Sequence, residues 1–368
     1  MGTLSVMAND AGEHIRVRGL VQGVGFRPTV WRIANALALR GDVINDGDGV
    51  LVRLIGPSAI IDRFCNDLRE QCPPLARIDA VERSPAQFDD IEGTAFTIAP
   101  SRATDIHTGV VADAATCPAC RAEIFDPNDR RYRYPFANCT HCGPRLSIVR
   151  GIPYDRENTS MAPFVQCSAC QSEYDNPADR RFHAQPNACP ECGPRVWLTD
   201  AAGGAVDTEA QNGHDAIAEA AALLAAGHIV AIKGIGGFHL VCDASNAEAV
   251  QTLRKRKRRY AKPFALMADN TDTLERFVRL DDESRRLLHS PAAPIVLLPM
   301  REDGAALAPE IAPAQDHLGF MLPYSPLHHI LLADWVALRP GVPLVMTSGN
   351  LSDEPQCTDN DDAGRRLG

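Results

Sequence analysis

The sequence of 368 residues contains no uninterrupted apolar run of the roughly 18 residues that a membrane-spanning helix needs, so no membrane association is expected. It also has no basic, apolar leader. The opening MGTLSVMANDAGEHIR is too short and too acidic for a signal peptide, which makes a cytoplasmic location the expectation. Positive charge is not in excess. With 37 Lys and Arg against 47 Asp and Glu, the formal net charge is −10, which argues against a surface given over to nucleic acid; no nucleic-acid partner is expected. A hydrophobic fraction of 45% and a charged fraction of 23% exclude overall disorder. At roughly 100–200 residues per domain, the length allows two to three domains.

What the sequence has in quantity is proline, at 27, and cysteine, at 12. Without a secretory route, disulfides are disfavoured and metal ligation is the expected use of the thiols. Eight of them form Cys-x-x-Cys pairs: Cys117/Cys120, Cys139/Cys142, Cys167/Cys170 and Cys189/Cys192. The segments 116–145 and 166–195 align at an offset of 50 and share 13 of 30 positions, including the closing Cys-Gly-Pro-Arg, so this stretch is an internal duplication. Two residues between thiolates let one tight turn present both sulfurs to one ion, and a second turn completes a tetrahedron. Two structural Zn²⁺ ions are expected, one for each set of four sulfurs. The spacing leaves open whether each half closes its own site or the pairs interleave. Binding zinc should supply folding energy to a segment poor in apolar residues.

Ahead of this module, Ile15–Val17 reads as a strand, GLVQGVGFR as a glycine turn, and Thr29–Leu39 as a helix with Pro28 in its first turn and Gly41 as its stop. Val43–Ile55 reads as a hairpin turning on Asp46-Gly47-Asp48-Gly49. Ala59–Glu70 and Ala95–Ile98 supply a second helix and a closing strand. A strand, a glycine turn and a helix start together make an anion-binding arrangement, and Arg27 ends the turn where it can add a charged contact. This string resembles the acylphosphatase signature. The resemblance implies a ferredoxin-like α/β sandwich, with Gln22, Gly23, Val24, Gly25, Phe26 and Arg27 as the phosphate cradle. It further implies that Arg27 holds an acyl phosphate and that Asn45 orients the attacking water. Cys65 and Cys72 read as ordinary thiols.

Beyond the module, 199–215 reads as a linker and Ala216–Ala226 as a helix stopped by Gly227. A strand over His228–Ile232 leads into KGIGGFHLVCDA, which lacks the residue order of a Walker loop. Seven Lys and Arg lie between Arg254 and Lys262. They suit a solvated helix face, a nucleic-acid patch or a polyphosphate pocket. Residues 293–298 read as a core strand, 318–332 as core strand and helix, and 343–350 as a strand ending in small donors. The ends of parallel strands are common ligand sites. His328 and His329 read as core or groove histidines.

Lys233-Gly234, the basic run with Lys262-Pro263, and Thr347–Asn350 together resemble the YrdC-type domain, whose members adenylate a carbamoyl or carboxyl group with ATP. The resemblance places ATP and the carbamoyl group near Lys233, His239, Arg254, Arg256, Lys257, Arg259, Lys262, Ser348 and Asn350. Mg²⁺ is expected with ATP as substrate, although no carboxylate pair marks a site for it. The resulting organisation is α/β multidomain: an acylphosphatase-like domain over 12–100, a duplicated zinc-finger module over 113–197 and a YrdC-like domain over 210–368. That order resembles the hydrogenase-maturation carbamoyltransferase family. The family likeness implies hydrolysis of carbamoyl phosphate to carbamate, formation of carbamoyl adenylate with ATP, and delivery to the C-terminal cysteine of the partner HypE for the cyanide ligands of NiFe hydrogenase. The family has a further large C-terminal domain, so the chain reads as a fragment or a short form, with the YrdC-like domain expected to be truncated. Two alternatives are a threonylcarbamoyl-adenylate synthase of tRNA modification and a zinc-organised scaffold without activity.

Overall fold

The structure, a computed structural model, describes residues 10–91, 93–102, 104–105, 107–206 and 215–368. They divide into two compact units. One runs to Asp113 and takes in Asn138–Gly193, and the other joins Ala114–Ala137 to Pro194–Gly368.

In the first unit β1 (Asp10–Leu20), α1 (Phe26–Ala36), β2 (Arg40–Asp46), β3 (Gly49–Pro57), α2 (Ser58–Glu70), β4 (Arg77–Pro85) and β5 (Phe96–Ile98) follow one another. The sheet order is β4-β1-β3-β2-β5, antiparallel except for the β2–β5 pair. Alternation decides which face is buried: Ile15 and Val17 on β1 and Val50, Val52 and Leu54 on β3 all enter one core. Against them lie Val30, Ile33 and Ala34 of α1 and Ile61, Phe64, Cys65 and Leu68 of α2, an apolar stripe at helical spacing. This is the expected ferredoxin-like sandwich of one sheet and two helices. Two details differ from the sequence reading. α1 ends at Ala36 with Ala38 in the left-handed region at φ 53°, while Gly41 lies inside β2, packed on the Arg53 carbonyl. The sheet also gains β4, an edge strand with mostly exposed side chains, of which Ile78 and Val81 are half-buried against the core.

In the second unit the main elements are α3 (Ala216–Ala225), β6 (Val230–Gly234), β7 (Gly237–Asp243), α4 (Ala247–Lys257), β8 (Ala265–Met267), β9 (Val296–Pro299), β10 (His317–Met321), α5 (Pro326–Leu338), β11 (Leu344–Ser348) and α6 (Asn360–Leu367). The six strands order as β9-β10-β8-β11-β7-β6. The linker reading falls on a short hairpin, Leu198–Thr199 with Ala205–Val206, and on residues outside the described ones. One expectation is corrected here. β11 ends at Ser348 but is antiparallel to both neighbours, β7 and β8, so its end is not the end of a parallel array.

A three-way ion pair ties the helices of this unit together. The guanidinium of Arg133 donates to Asp215 at 2.6 Å and 3.0 Å and to Asp334 on α5 at 2.7 Å and 2.9 Å. Asp215 also caps α3, accepting from the N–H of Ile217 and Ala218. Replacing Asp215 by Ala should remove the cap and half of the clamp. We expect a loss of about 1–2 kcal/mol in the unfolding free energy of this unit, read from its urea midpoint by far-ultraviolet circular dichroism.

Candidate functional site

The turn between β1 and α1 forms one wall of a pocket lined by Gly23, Gly25, Arg27, Asn45, Thr140, Arg145, Tyr154 and His183, among others. Gly23 and Gly25 have φ of 74° and 73°, a region in which side-chain-bearing residues are strained. Space forbids them too. A Cβ at Gly23 would lie 3.0 Å from the Tyr154 ring, and one at Gly25 would lie 3.1 Å from Thr140 Cβ. Among the described residues, no protein acceptor takes the N–H groups of Gly23, Val24 or Gly25. Unclaimed amides leading into a helix N-terminus suit an anion.

The other loop residues fix this conformation. Val24 and Phe26 bury their side chains in the core at 0% and 1% exposure. Gln22 points inward; its amide donates to the carbonyls of Asp46 at 2.7 Å and Gly49 at 2.9 Å, tying the loop to the β2–β3 turn. Its carbonyl oxygen accepts from the N–H of Tyr154 at 3.1 Å. The guanidinium of Arg145 donates to the carbonyl oxygens of Gly23, Cys139, Thr140, Cys142 and Pro144. It therefore pins the loop to a cysteine knuckle.

Arg27 lines the pocket, with its terminal nitrogens on Asp155 at 2.8 Å and Ser101 at 3.1 Å. Asn45 is 2% exposed, and among the described residues its Oδ1 has no hydrogen-bond partner. A buried acceptor left open at a pocket wall is the group expected to hold a water or substrate hydrogen. His183 is held neutral: burial first, and then the nearby Arg27 charge, push its pKa down to about 4. Of the residues the sequence nominates, Gly23, Gly25, Phe26, Arg27 and Asn45 line this pocket and Gln22 and Val24 support its loop; Ser101, Thr140, Arg145, Tyr154, Asp155 and His183, which the structure adds around it, were not nominated. Of these, only Arg145 carried a signal, as the end of the repeated Cys-Gly-Pro-Arg.

The eight paired cysteines gather as Cys117, Cys120, Cys139, Cys142 and as Cys167, Cys170, Cys189, Cys192, each set with its sulfurs within 4.8 Å of one another. Each half therefore closes its own set, which resolves the pairing that the spacing left open. Cys139 and Cys142 of the first set have sulfurs 3.8 Å apart, and in the second set Cys167–Cys189, Cys189–Cys192 and Cys170–Cys192 are 3.6–3.8 Å apart; none of these cysteines forms a disulfide. A tetrahedron of roughly 2.3 Å Zn–S bonds has sulfur–sulfur edges of about 3.8 Å, so both sets fit Zn²⁺ with four thiolates and no open position. His141 contributes to neither set.

In the second unit the sequence-nominated residues separate into two groups. Lys257, 1% exposed, directs its ammonium to the Asn350 side-chain oxygen at 2.6 Å, the Asn350 carbonyl at 2.8 Å and the Ser348 carbonyl. Ser348 Oγ donates to Asn350 Oδ1 at 2.7 Å. His239 pairs with Ser348 across β7 and β11, and its Nε2 lies 3.0 Å from the Tyr324 hydroxyl. Burial pushes the pKa of Lys257 down to about 8, assisted by Arg259, and that of His239 to about 4. The remaining cations lie elsewhere. Arg254 is buried, with its donors on the carbonyls of Glu310, Ile311, Arg259 and Lys262. Arg259 lies over the Phe264 ring and donates to the carbonyls of Lys262 and Pro263. Lys233 reaches Asn360 at 2.6 Å, Lys262 pairs loosely with Asp353 at 3.7 Å, and Arg256 is exposed. His328 is fully buried, as a core histidine should be.

Comparison with known proteins now gives these sites a context. Three family models match: acylphosphatase over residues 13–98, the HypF finger over 116–149 and 167–199, and the Sua5/YciO/YrdC model, described as telomere recombination, over 222–368. Together they define a multidomain chain with an acylphosphatase segment, a duplicated HypF finger and a Sua5/YciO/YrdC segment. The chain is 56% identical over 354 residues to the carbamoyltransferase HypF of Rhodobacter capsulatus, covering 96% of this chain and 45% of that one. It is 45% identical over 358 residues to a probable carbamoyltransferase HypF of Methanocaldococcus jannaschii, at the same coverage. A crystal structure of full-length HypF in a phosphate- and nucleotide-bound form superposes with a TM-score of 0.89 at 42% identity, covering 98% of this chain and 45% of that chain. The chain belongs to the HypF carbamoyltransferase family, and it spans a little under half the length of the curated relatives it matches.

Two zinc ions per chain are expected by elemental analysis, one for each sulfur set. Cys170→Ser should lower the count to one, and retention of both ions would contradict the assignment of four thiolates to each.

Proposed function

We propose that this chain carries out the phosphate-handling steps of a cytoplasmic carbamoyltransferase. The carrying observation is the first-unit pocket, in which unclaimed loop amides, Arg27 and the open Oδ1 of Asn45 converge. In this reading the amides of Gly23–Gly25 and Arg27 hold the phosphoryl group of carbamoyl phosphate. Asn45 Oδ1 accepts a hydrogen from a water and so directs its oxygen at phosphorus. A new P–O bond forms, the bond from phosphorus to the carbamoyl oxygen breaks, and carbamate and phosphate result. The amides and Arg27 stabilise the charge as it shifts onto the phosphoryl and leaving oxygens. The neutral His183 adds no positive charge to compete with Arg27.

Carbamate then attacks the α-phosphorus of ATP, supplied as its Mg²⁺ complex, in the second unit. The P–O bond to the β-phosphate breaks, giving carbamoyl adenylate and pyrophosphate. Lys257, Ser348 and Asn350 form the cluster that supports this assignment, with His239 beside them. Delivery to the C-terminal cysteine of HypE completes the proposal. The zinc ions would supply folding energy to the cysteine knuckles and take no part in the chemistry.

Arg27→Ala should reduce phosphate release from carbamoyl phosphate by about a hundredfold or more, as expected for loss of the charge that meets the phosphoryl group. Unchanged release would sink the assignment. Pyrophosphate formation that requires both ATP and carbamoyl phosphate would exclude a purely structural role.

The Lys257 ammonium gives a pH signature for the second site. Its depressed pKa of about 8 means that the positive charge is complete below pH 7 and lost as pH rises through 8. ATP affinity, measured by calorimetry, should therefore fall between pH 7 and pH 9. In Lys257→Arg, whose guanidinium stays charged, the fall should vanish.

A further inference from the structure

The guanidinium of Arg27 is shared. Nη2 donates to Asp155 Oδ1 at 2.8 Å, and the side chains of the pair are only 9% and 21% exposed. Asp155 lies 128 residues along the chain from Arg27, outside the acylphosphatase-like segment and next to Tyr154, whose N–H holds Gln22. One short stretch therefore fixes both ends of the loop from Gln22 to Arg27.

A carboxylate in this place has two effects of opposite sign. With Ser101 holding the other terminal nitrogen, it restricts the guanidinium to one orientation before substrate arrives. It also brings a negative charge to the same guanidinium that must hold a phosphoryl dianion. At a half-buried site the repulsion between those two anions is only partly screened. We propose that Asp155 is a positioning residue for the hydrolytic step, one that orients Arg27 and simultaneously weakens the grip on inorganic phosphate so that the product leaves. The proposal rests on reading the pocket as the site of carbamoyl phosphate hydrolysis.

The test uses the full chain and two measurements: binding of inorganic phosphate by calorimetry, and steady-state hydrolysis of carbamoyl phosphate. Asp155→Asn keeps an acceptor for Arg27 but drops the charge. Its Kd for phosphate should fall about tenfold. Ser101→Ala removes the uncharged anchor and should not tighten phosphate. Unchanged or weaker phosphate binding in D155N overturns the proposal, because a carboxylate that merely supports the fold predicts that result. Asp155→Ala removes the anchor as well as the charge, and its kcat should lie about tenfold below that of D155N. Equal kcat values in the two variants overturn the orienting role. Should D155N fail to fold, judged by zinc content and circular dichroism, D155A carries the affinity measurement with the same expected direction. A wild-type chain that binds phosphate but leaves carbamoyl phosphate intact would remove the hydrolytic reading. The phosphate titrations would still decide whether Asp155 opposes the bound anion.

Discussion

An anion cradle made of main-chain N–H groups works only if the loop that carries them cannot relax. Amides of Gly23, Val24 and Gly25, which find no acceptor among the described residues, would, in a mobile turn, rotate to meet one or face bulk water. Here the rotation is blocked from three directions. Val24 and Phe26 are sunk in the core, Gln22 is laced to the hairpin turn, and Arg145 grips the Gly23 carbonyl. The Tyr154 ring and Thr140 close the space that any side chain at the glycines would need. The cost of arranging the donors is met during folding, so they are ready before an anion arrives.

The same logic with opposite chemistry shapes the second unit. There a buried ammonium is the scarce element, and oxygen acceptors surround it. The main-chain carbonyls of Ser348 and Asn350 and the Asn350 side chain satisfy Lys257 in the structure as it stands. The first site thus holds unsatisfied donors, and the second holds a cation already satisfied by its own chain. The first condition depends on a turn, and the second joins the last residue of α4 to acceptors at the end of β11 and in the turn beyond it.

Much of this was legible in the sequence, for local reasons. Alternation and helical spacing gave β1–α1–β2–β3–α2 because each element buries one face in a shared core, and Cys-x-x-Cys spacing gave the sulfur pairs because both sulfurs of a pair come from one turn, while which pairs share a site came only from the fold. What stayed hidden depends on long-range approach. Asp155 reaches Arg27 across 128 residues, and nothing in the local pattern around Pro153–Asp155 marks that contact. The basic run shows the opposite failure. Its seven cations look like one patch, but Arg254 turns inward onto carbonyls, Lys257 joins Ser348 and Asn350, and Arg256 stays in solvent. Charge along a helix is read easily, whereas the direction of each side chain depends on neighbours that the run does not contain.

The duplication shows how far equal sequence is from equal use. Both halves close with Cys-Gly-Pro-Arg, yet Arg145 is 1% exposed and spans five carbonyls whereas Arg195 lies in solvent. As metal knuckles the two halves are interchangeable, but as parts of the molecule they are not. A chain with the halves transposed would present the same ligands at the same spacings and load the same metal. It would nevertheless place Glu191 and a proline where His141 and Thr140 now stand, and Gly25 would lose the neighbour it packs against. Metal content is therefore blind to the order of the halves, and only the shape of the pocket beside Gly25 records it.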